Sequence, residues 1–194
     1  GQTGTLTVTK PGSGYTFQFS YTFGSASGTL GRTSLKLASR TSGKAVYQWT
    51  VPAALAEQIP NALWGVGTMT MDIYDGGNYV GSVQASFTAY VPDSMRPTAT
   101  LQVTVVNDNA AVKGWGLCVQ GLSRLKYTVK AAGAGGASVK ACRFSFAGQT
   151  VTGISGTTAL IGSAGSLKPS VTVTDSRGRS ATVTGSAVKV YAYH

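Results

Sequence analysis

The chain is poor in the residues from which active sites are built. Its 194 residues include one histidine, His194, two cysteines and six acids, and only 11% are charged, against roughly 25% in ordinary soluble domains. A single terminal imidazole is a weak candidate for a Ser-His-acid triad. Paired-carboxylate chemistry would have to draw on scattered acids, and the closest two, Asp72 and Asp75, fall in a strand pattern and at a turn. Asp75 reads as a turn-former, and Asp75-Gly76-Gly77-Asn78 matches no calcium loop. Cys118 and Cys142 lack neighbours at metal-ligand spacing. They read as two reduced, buried thiols, with one disulfide across the second half as the alternative. No apolar run approaches the ~18 residues of a membrane-spanning helix. The opening Gly1-Gln2 leads into a strand pattern without a signal peptide, as in a piece of a longer chain. These shortages argue against an enzyme, a cofactor, a metal site and membrane insertion.

What is present is β-forming. Thr, Ser, Val and Gly dominate, and tyrosine outnumbers the other aromatics. Two β-rich halves meet at Val91-Pro92-Asp93-Ser94-Met95-Arg96-Pro97, where two prolines favour an extended connection. The expectation is two tandem immunoglobulin-like β-sandwich domains, residues 1–92 and 97–194. In the first half, residues 5–10 alternate apolar with polar, and residues 15–23 place five aromatics on one face. Further strands are predicted at 34–38, 45–51 and 68–74, with a loop at 24–31. Pro52 and Pro60 bracket a helical turn, and Asp75-Gly76-Gly77-Asn78 forms a hairpin turn. In the second half the strands are predicted at 98–106, 115–119, 124–131, 138–146, 149–152, 157–161, 168–175 and 180–192. The runs 133–136 and 175–179 read as turns. The glycines at 133–136 lack the lysine of a phosphate loop.

The net charge of +10 is uneven. Residues 1–91 hold five basic and three acidic side chains, whereas residues 92–194 hold eleven and three. A basic second half attracts anionic partners, including nucleic acid, anionic glycopolymers or an acidic subunit. Its cations are dispersed and lack the interleaved aromatics of a single-strand binder, which argues against nucleic acid. Three aromatics are the candidate contact residues. Trp64 precedes Gly65 in a predicted loop, Trp115 is flanked by Gly114 and Gly116, and Tyr79 follows the hairpin turn. Such residues stack on a sugar ring or plug a core. Tyr74 and Tyr90 add amphipathic surface, while Trp49 is placed in the first core with Phe17, Phe19 and Tyr21.

Several ordered runs resemble a module of minor structural proteins in siphophages, tailed phages with long non-contractile tails, and in their prophages. These are Tyr47-Gln48-Trp49-Thr50-Val51-Pro52, Leu55-Ala56-Glu57-Gln58-Ile59-Pro60-Asn61, Gly67-Thr68-Met69-Thr70, Phe87-Thr88-Ala89 and Val91-Pro92-Asp93-Ser94. In the second half Val119-Gln120-Gly121-Leu122-Ser123-Arg124-Leu125 and Val173-Thr174-Asp175-Ser176-Arg177-Gly178-Arg179 continue it. The resemblance, over residues 15–194, implies membership of a virion and no catalytic residues. It departs at Trp64 and the cysteines, so no role there is inherited. The expectation is a non-enzymatic tail or tail-tip structural protein in the phage virion, assembled in the bacterial cytoplasm. Its expected partners are other tail proteins, a host-surface glycan and possible further copies of itself. The alternative is a carbohydrate-binding module or cell-surface adhesin working through Trp64, Trp115 or Tyr79.

Overall fold

The computed structural model describes residues 2–9, 15–33 and 44–193. It is all-β, and its backbone contacts divide it into Gly1–Ser94 and Met95–His194. The first unit contains β1 (Thr3–Thr9), β2 (Tyr15–Phe23), β3 (Ala26–Thr33), β4 (Lys44–Thr50), a 3₁₀ turn (Ala53–Gln58), β5 (Trp64–Asp75) and β6 (Asn78–Tyr90). An antiparallel sheet of order β3-β2-β5-β6 is covered by the β1-β4 ladder.

The alternation in β2 dictates this packing. Phe17, Phe19, Tyr21 and Phe23 are buried on one face, with Tyr15 partly buried, while Thr16, Gln18, Ser20 and Thr22 take the other. From the opposing ladder Tyr47 stacks on Phe19 at 5.1 Å and Trp49 meets Tyr21 at 5.2 Å. Trp49 also touches Phe87 of β6 edge-on at 5.2 Å, and Phe87 stacks on Phe23 at 5.9 Å. Gln58 fastens the 3₁₀ turn to the β2–β3 turn, its Oε1 accepting from the Ser25 N–H at 3.0 Å and hydroxyl at 2.7 Å.

The second unit runs through β7 (Thr98–Val106), β8 (Cys118–Val119), β9 (Arg124–Ala132), β10 (Val139–Phe146), β11 (Gln149–Thr152), β12 (Ser155–Thr157), β13 (Gly165–Leu167), β14 (Ser170–Asp175), β15 (Ser180–Thr184) and β16 (Val188–Tyr191). Its sheets have the orders β12-β9-β7 and β11-β10-β14-β15. Seven strands divided in this way follow the Greek-key arrangement of an immunoglobulin-like sandwich. Tyr127 of one sheet lies flat on Phe144 of the other, 4.2 Å between centroids and 6° from parallel. A third, small sheet, β13-β16-β8, closes one side through a parallel β16–β8 pair.

Several sequence expectations are corrected. Residues 24–31, expected as a loop, are mostly β3, and the expected loop around Trp64 is the start of β5. Both were misread for one reason: their glycines serve packing. Gly28 lies opposite Tyr21, and Gly67 opposite Phe87. A Cβ on Gly28 would come within 2.7 Å of the Tyr21 ring, and one on Gly67 within 2.5 Å of the Phe87 ring. Gly65 is equally enclosed, with Phe23 Cζ at 2.7 Å and Ile59 Cγ2 at 2.8 Å from a would-be Cβ. The expected strand 115–119 shrinks to Cys118–Val119 behind a turn, and 157–161 moves forward to Ser155–Thr157. The run 180–192 divides into Ser180–Thr184, which pairs with β14, and Val188–Tyr191, which pairs with β13 and β8. The strand expected at 34–38 lies outside the described residues.

Gly67→Ala is expected to destabilise the first unit by about 1–3 kcal/mol, the usual cost of overpacking. Gly81→Ala, whose added Cβ would meet nothing within 4 Å, should be neutral. Thermal melts followed by circular dichroism compare the two variants; equal melting temperatures would refute the packing role of Gly67.

Candidate functional site

The β5–β6 hairpin carries the most distinctive surface of the first unit. Its turn, Gly76-Gly77, uses φ of 55° and 101°, as a two-residue primed turn requires. Alternation turns Gly67 and Met69 inward, so Trp64, Val66, Thr68, Thr70, Asp72 and Tyr74 share the outer face. Register then places Tyr90 opposite Trp64, Thr88 opposite Val66, Ser86 opposite Thr68, Gln84 opposite Thr70 and Ser82 opposite Asp72. A β-bulge between Ile73 and Tyr74 shifts the pairing so that Tyr74 faces Tyr79. Their rings meet at 5.9 Å, inclined by 72°.

This hairpin face therefore ends in an aromatic pair on each side. Trp64 and Tyr90 are 55% and 59% exposed, and Tyr79 is 61% exposed. Between the pairs lie the exposed Val66 with Thr88, beside the Trp64–Tyr90 end, and then three polar rows: Thr68 with Ser86, Thr70 with Gln84, and Asp72 with Ser82. No lysine or arginine occurs in either strand. Trp64 and Tyr79, proposed separately from sequence, thus lie on one face and each gains a tyrosine partner. Trp115 belongs to the second unit. It is 57% exposed after a turn in which its N–H donates to the Val112 carbonyl at 3.1 Å. Asp72 and Asp75 do not meet as a pair: Asp72 lies in a polar row and Asp75 faces Asn78 at the hairpin end.

A second feature of the first unit is an open cleft of about 520 Å³ between β1 and β6, lined by Leu6, Val8, Phe19, Met69, Met71 and Val83 among others. Its lining is mostly apolar, with Thr5, Thr7, Thr9, Gln84 and Ser86 as its polar members.

In the second unit Asp175-Ser176-Arg177-Gly178-Arg179 forms a clamp. Asp175 is fully buried, and its Oδ1 accepts from the Arg177 and Arg179 backbone N–H groups at 3.0 and 2.9 Å. The Arg177 guanidinium donates to the Ala134 carbonyl at 2.7 Å and also to the Gly135 carbonyl. Burial lowers the Arg177 pKa, partly opposed by neighbouring Asp175. The Arg179 guanidinium reaches the Met95 carbonyl at 3.0 Å. Sequence had identified only a turn here. The signal for more was Asp with Gly three residues later, a turn signature, carrying two arginines on that turn.

Arginine use also reshapes the meaning of the basic second half. Arg96 and Arg124 donate to the Ser180 and Thr158 carbonyls at 3.3 and 3.2 Å, so with Arg177 and Arg179 four of its arginines hold backbone in place. Lys126 and Lys130 project from the outer side of β9, opposite Thr104 and Thr100. Cys118 and Cys142 are buried, free thiols whose pKa values burial raises. Burial raises Tyr127 likewise, with a smaller contribution from Cys142. Among the described residues no three His, Cys, Asp or Glu gather closely enough to hold a metal ion, and no helix is long and apolar enough to cross a membrane.

The sequence profile of a family described as "Siphovirus protein of unknown function (DUF859)" matches residues 1–194. No curated protein gives a significant match. Among solved structures, the fibronectin(III)-like modules of Clostridium thermocellum CbhA are similar at a TM-score of 0.35 and 12% identity, covering 90% of this chain and 77% of that one.

Arg177→Ala should weaken the clamp by about 2–3 kcal/mol, because charged hydrogen bonds to two carbonyls are lost. Arg177→Lys should recover only part, since one ammonium lacks the planar fork. Hydrogen exchange at residues 133–137 and 175–180 reads the effect, and unchanged protection in the alanine variant would refute the clamp.

Both thiols should resist a disulfide reagent in the folded chain at about pH 8 and react after unfolding. Their folded pKa values are raised, so their stabilising contribution is full below the unfolded thiol value of about 8.5 and is lost as pH rises through the folded values. A Cys118→Ala/Cys142→Ala variant should therefore show a shallower alkaline loss of stability in denaturant titrations. An equally steep loss would remove the thiols as its source.

Proposed function

Since the chain belongs to the DUF859 family of siphovirus proteins, we propose that it is a non-enzymatic structural protein of the phage tail or tail tip that contacts the host surface. The observation that carries this reading is the outer face of the β5–β6 hairpin, where solvent-facing aromatic pairs bracket polar rows. Exposed aromatics set on a rigid sheet are contact chemistry. Two β-rich units suit a spacer, and the buried Asp175–Arg177 clamp stiffens loops that a binding scaffold must hold still. The partners in this reading are neighbouring tail proteins and a glycan of the host envelope.

Antibodies raised against the purified chain should label the tail end of intact phage particles in immuno-electron microscopy. Excess free protein should slow phage adsorption to host cells. Labelling confined to the capsid, or a chain absent from purified virions, would overturn the tail assignment.

A further inference from the structure

We propose that the outer face of the β5–β6 hairpin binds a neutral, linear polysaccharide lengthwise, with Trp64–Tyr90 and Tyr74–Tyr79 as its two stacking platforms. The proposal rests on the host-contact reading above and specifies the ligand of that surface.

The argument begins with spacing. Ten residues separate Trp64 from Tyr74 on one strand, which at about 3.3 Å per residue sets the platforms some 33 Å apart. A disaccharide reaches one platform, whereas an extended oligosaccharide chain reaches both. Sugar rings offer C–H faces that pack on aromatic rings, with hydroxyls around their edges. The hairpin supplies both complements in order: rings at its ends, and hydroxyl, amide and carboxylate groups of Thr68, Ser86, Thr70, Gln84, Asp72 and Ser82 between them.

The same sequence of groups disfavours a protein partner. A protein interface concentrates apolar contact at its centre and polar groups at its rim, whereas this face is polar in the middle and aromatic at its ends. Charge selects among glycans. The two strands carry Asp72 and Asp75 and no cation, so a phosphate- or carboxylate-bearing polymer meets like charge here. Nothing on this face needs to move to receive the chain. Trp64, Tyr79 and Tyr90 are already more than half exposed, and the inner side of the hairpin is held by the contacts of Phe87 with Phe23 and Trp49.

Isothermal titration tests the idea with the full chain. The probes are size ladders of neutral β-glucan, galactan and mannan oligosaccharides, and the neutral polysaccharide fraction of the host cell wall freed of phosphate-bearing polymer. Affinity is expected to rise with chain length until both platforms are spanned. Trp64→Ala and Tyr79→Ala should each weaken binding of the long chains by about ten-fold or more, with melting temperatures unchanged because both side chains are exposed. Lys126→Ala and Trp115→Ala should leave binding unaltered, and affinity should hold between about 50 and 500 mM salt. No binding to any of these glycans, binding that survives loss of both Trp64 and Tyr79, or binding abolished by salt or by Lys126→Ala would each overturn the proposal. Tail labelling without glycan binding would defeat this inference and leave the tail assignment standing. Glycan binding by a chain absent from virions would do the reverse.

Discussion

An aromatic ring packed against a glycine on the neighbouring strand is the contact on which the rest of this structure depends. It recurs four times in direct register: Trp49 over Gly4, Tyr21 over Gly28, Phe87 over Gly67 and Tyr127 over Gly156. Would-be Cβ atoms at those glycines lie 3.4, 2.7, 2.5 and 3.0 Å from the opposing rings. Glycine in a strand is ordinarily a loss, because it packs nothing and carries extra backbone entropy. Covered by a ring, it brings two strands and a large apolar surface together. In the first unit these rings also touch one another, so Tyr21, Trp49, Phe87 and Phe23 make one continuous contact that ties the β1–β4 ladder to the larger sheet.

This inner arrangement shapes the outside. Large apolar residues are drawn to the inner faces, and the outer positions of β2, β5, β14 and β15 are mostly threonine, serine and other small polar residues. The second unit extends this with hydroxyl pairs, Thr172 with Thr182 at 2.9 Å and Thr174 with Ser180 at 2.8 Å. On such a surface, outward aromatic pairs at Trp64–Tyr90 and Tyr74–Tyr79 stand apart from the pattern. The excess of cations in residues 92–194 likewise has a structural component. Four arginines answer backbone carbonyls that the strands do not pair, while the lysines of β9 remain on the surface. Charge counted along the chain therefore overstates the charge organised for a partner.

Legibility followed the chemistry of each segment. The aromatic alternation at 15–23 and the apolar alternation at 98–106 gave strands at the same bounds in the structure, since a period of two survives any tertiary context that buries one face. The hairpin turn at Gly76-Gly77 was equally local, because two positive φ values in succession favour glycine. Segments rich in glycine were misread at 24–31 and around Trp64. A breaker and a ring-covered strand glycine look identical until the partner strand is known.

By itself, then, the sequence determined the β class, the aromatic inner face of β2 and the scarcity of reactive side chains, all of which depend on residue type and near neighbours. Only the tertiary structure decided which glycines lie under rings, that Arg177 holds the 133–136 loop, and that Trp64, Tyr90, Tyr74 and Tyr79 share one face. Those pairings join residues distant in sequence. Trp64 and Tyr90 stand opposite each other because a two-residue turn sets the hairpin register, and Tyr74 meets Tyr79 because a bulge shifts it. A one-residue slip would have sent one member of each pair to the other side of the sheet.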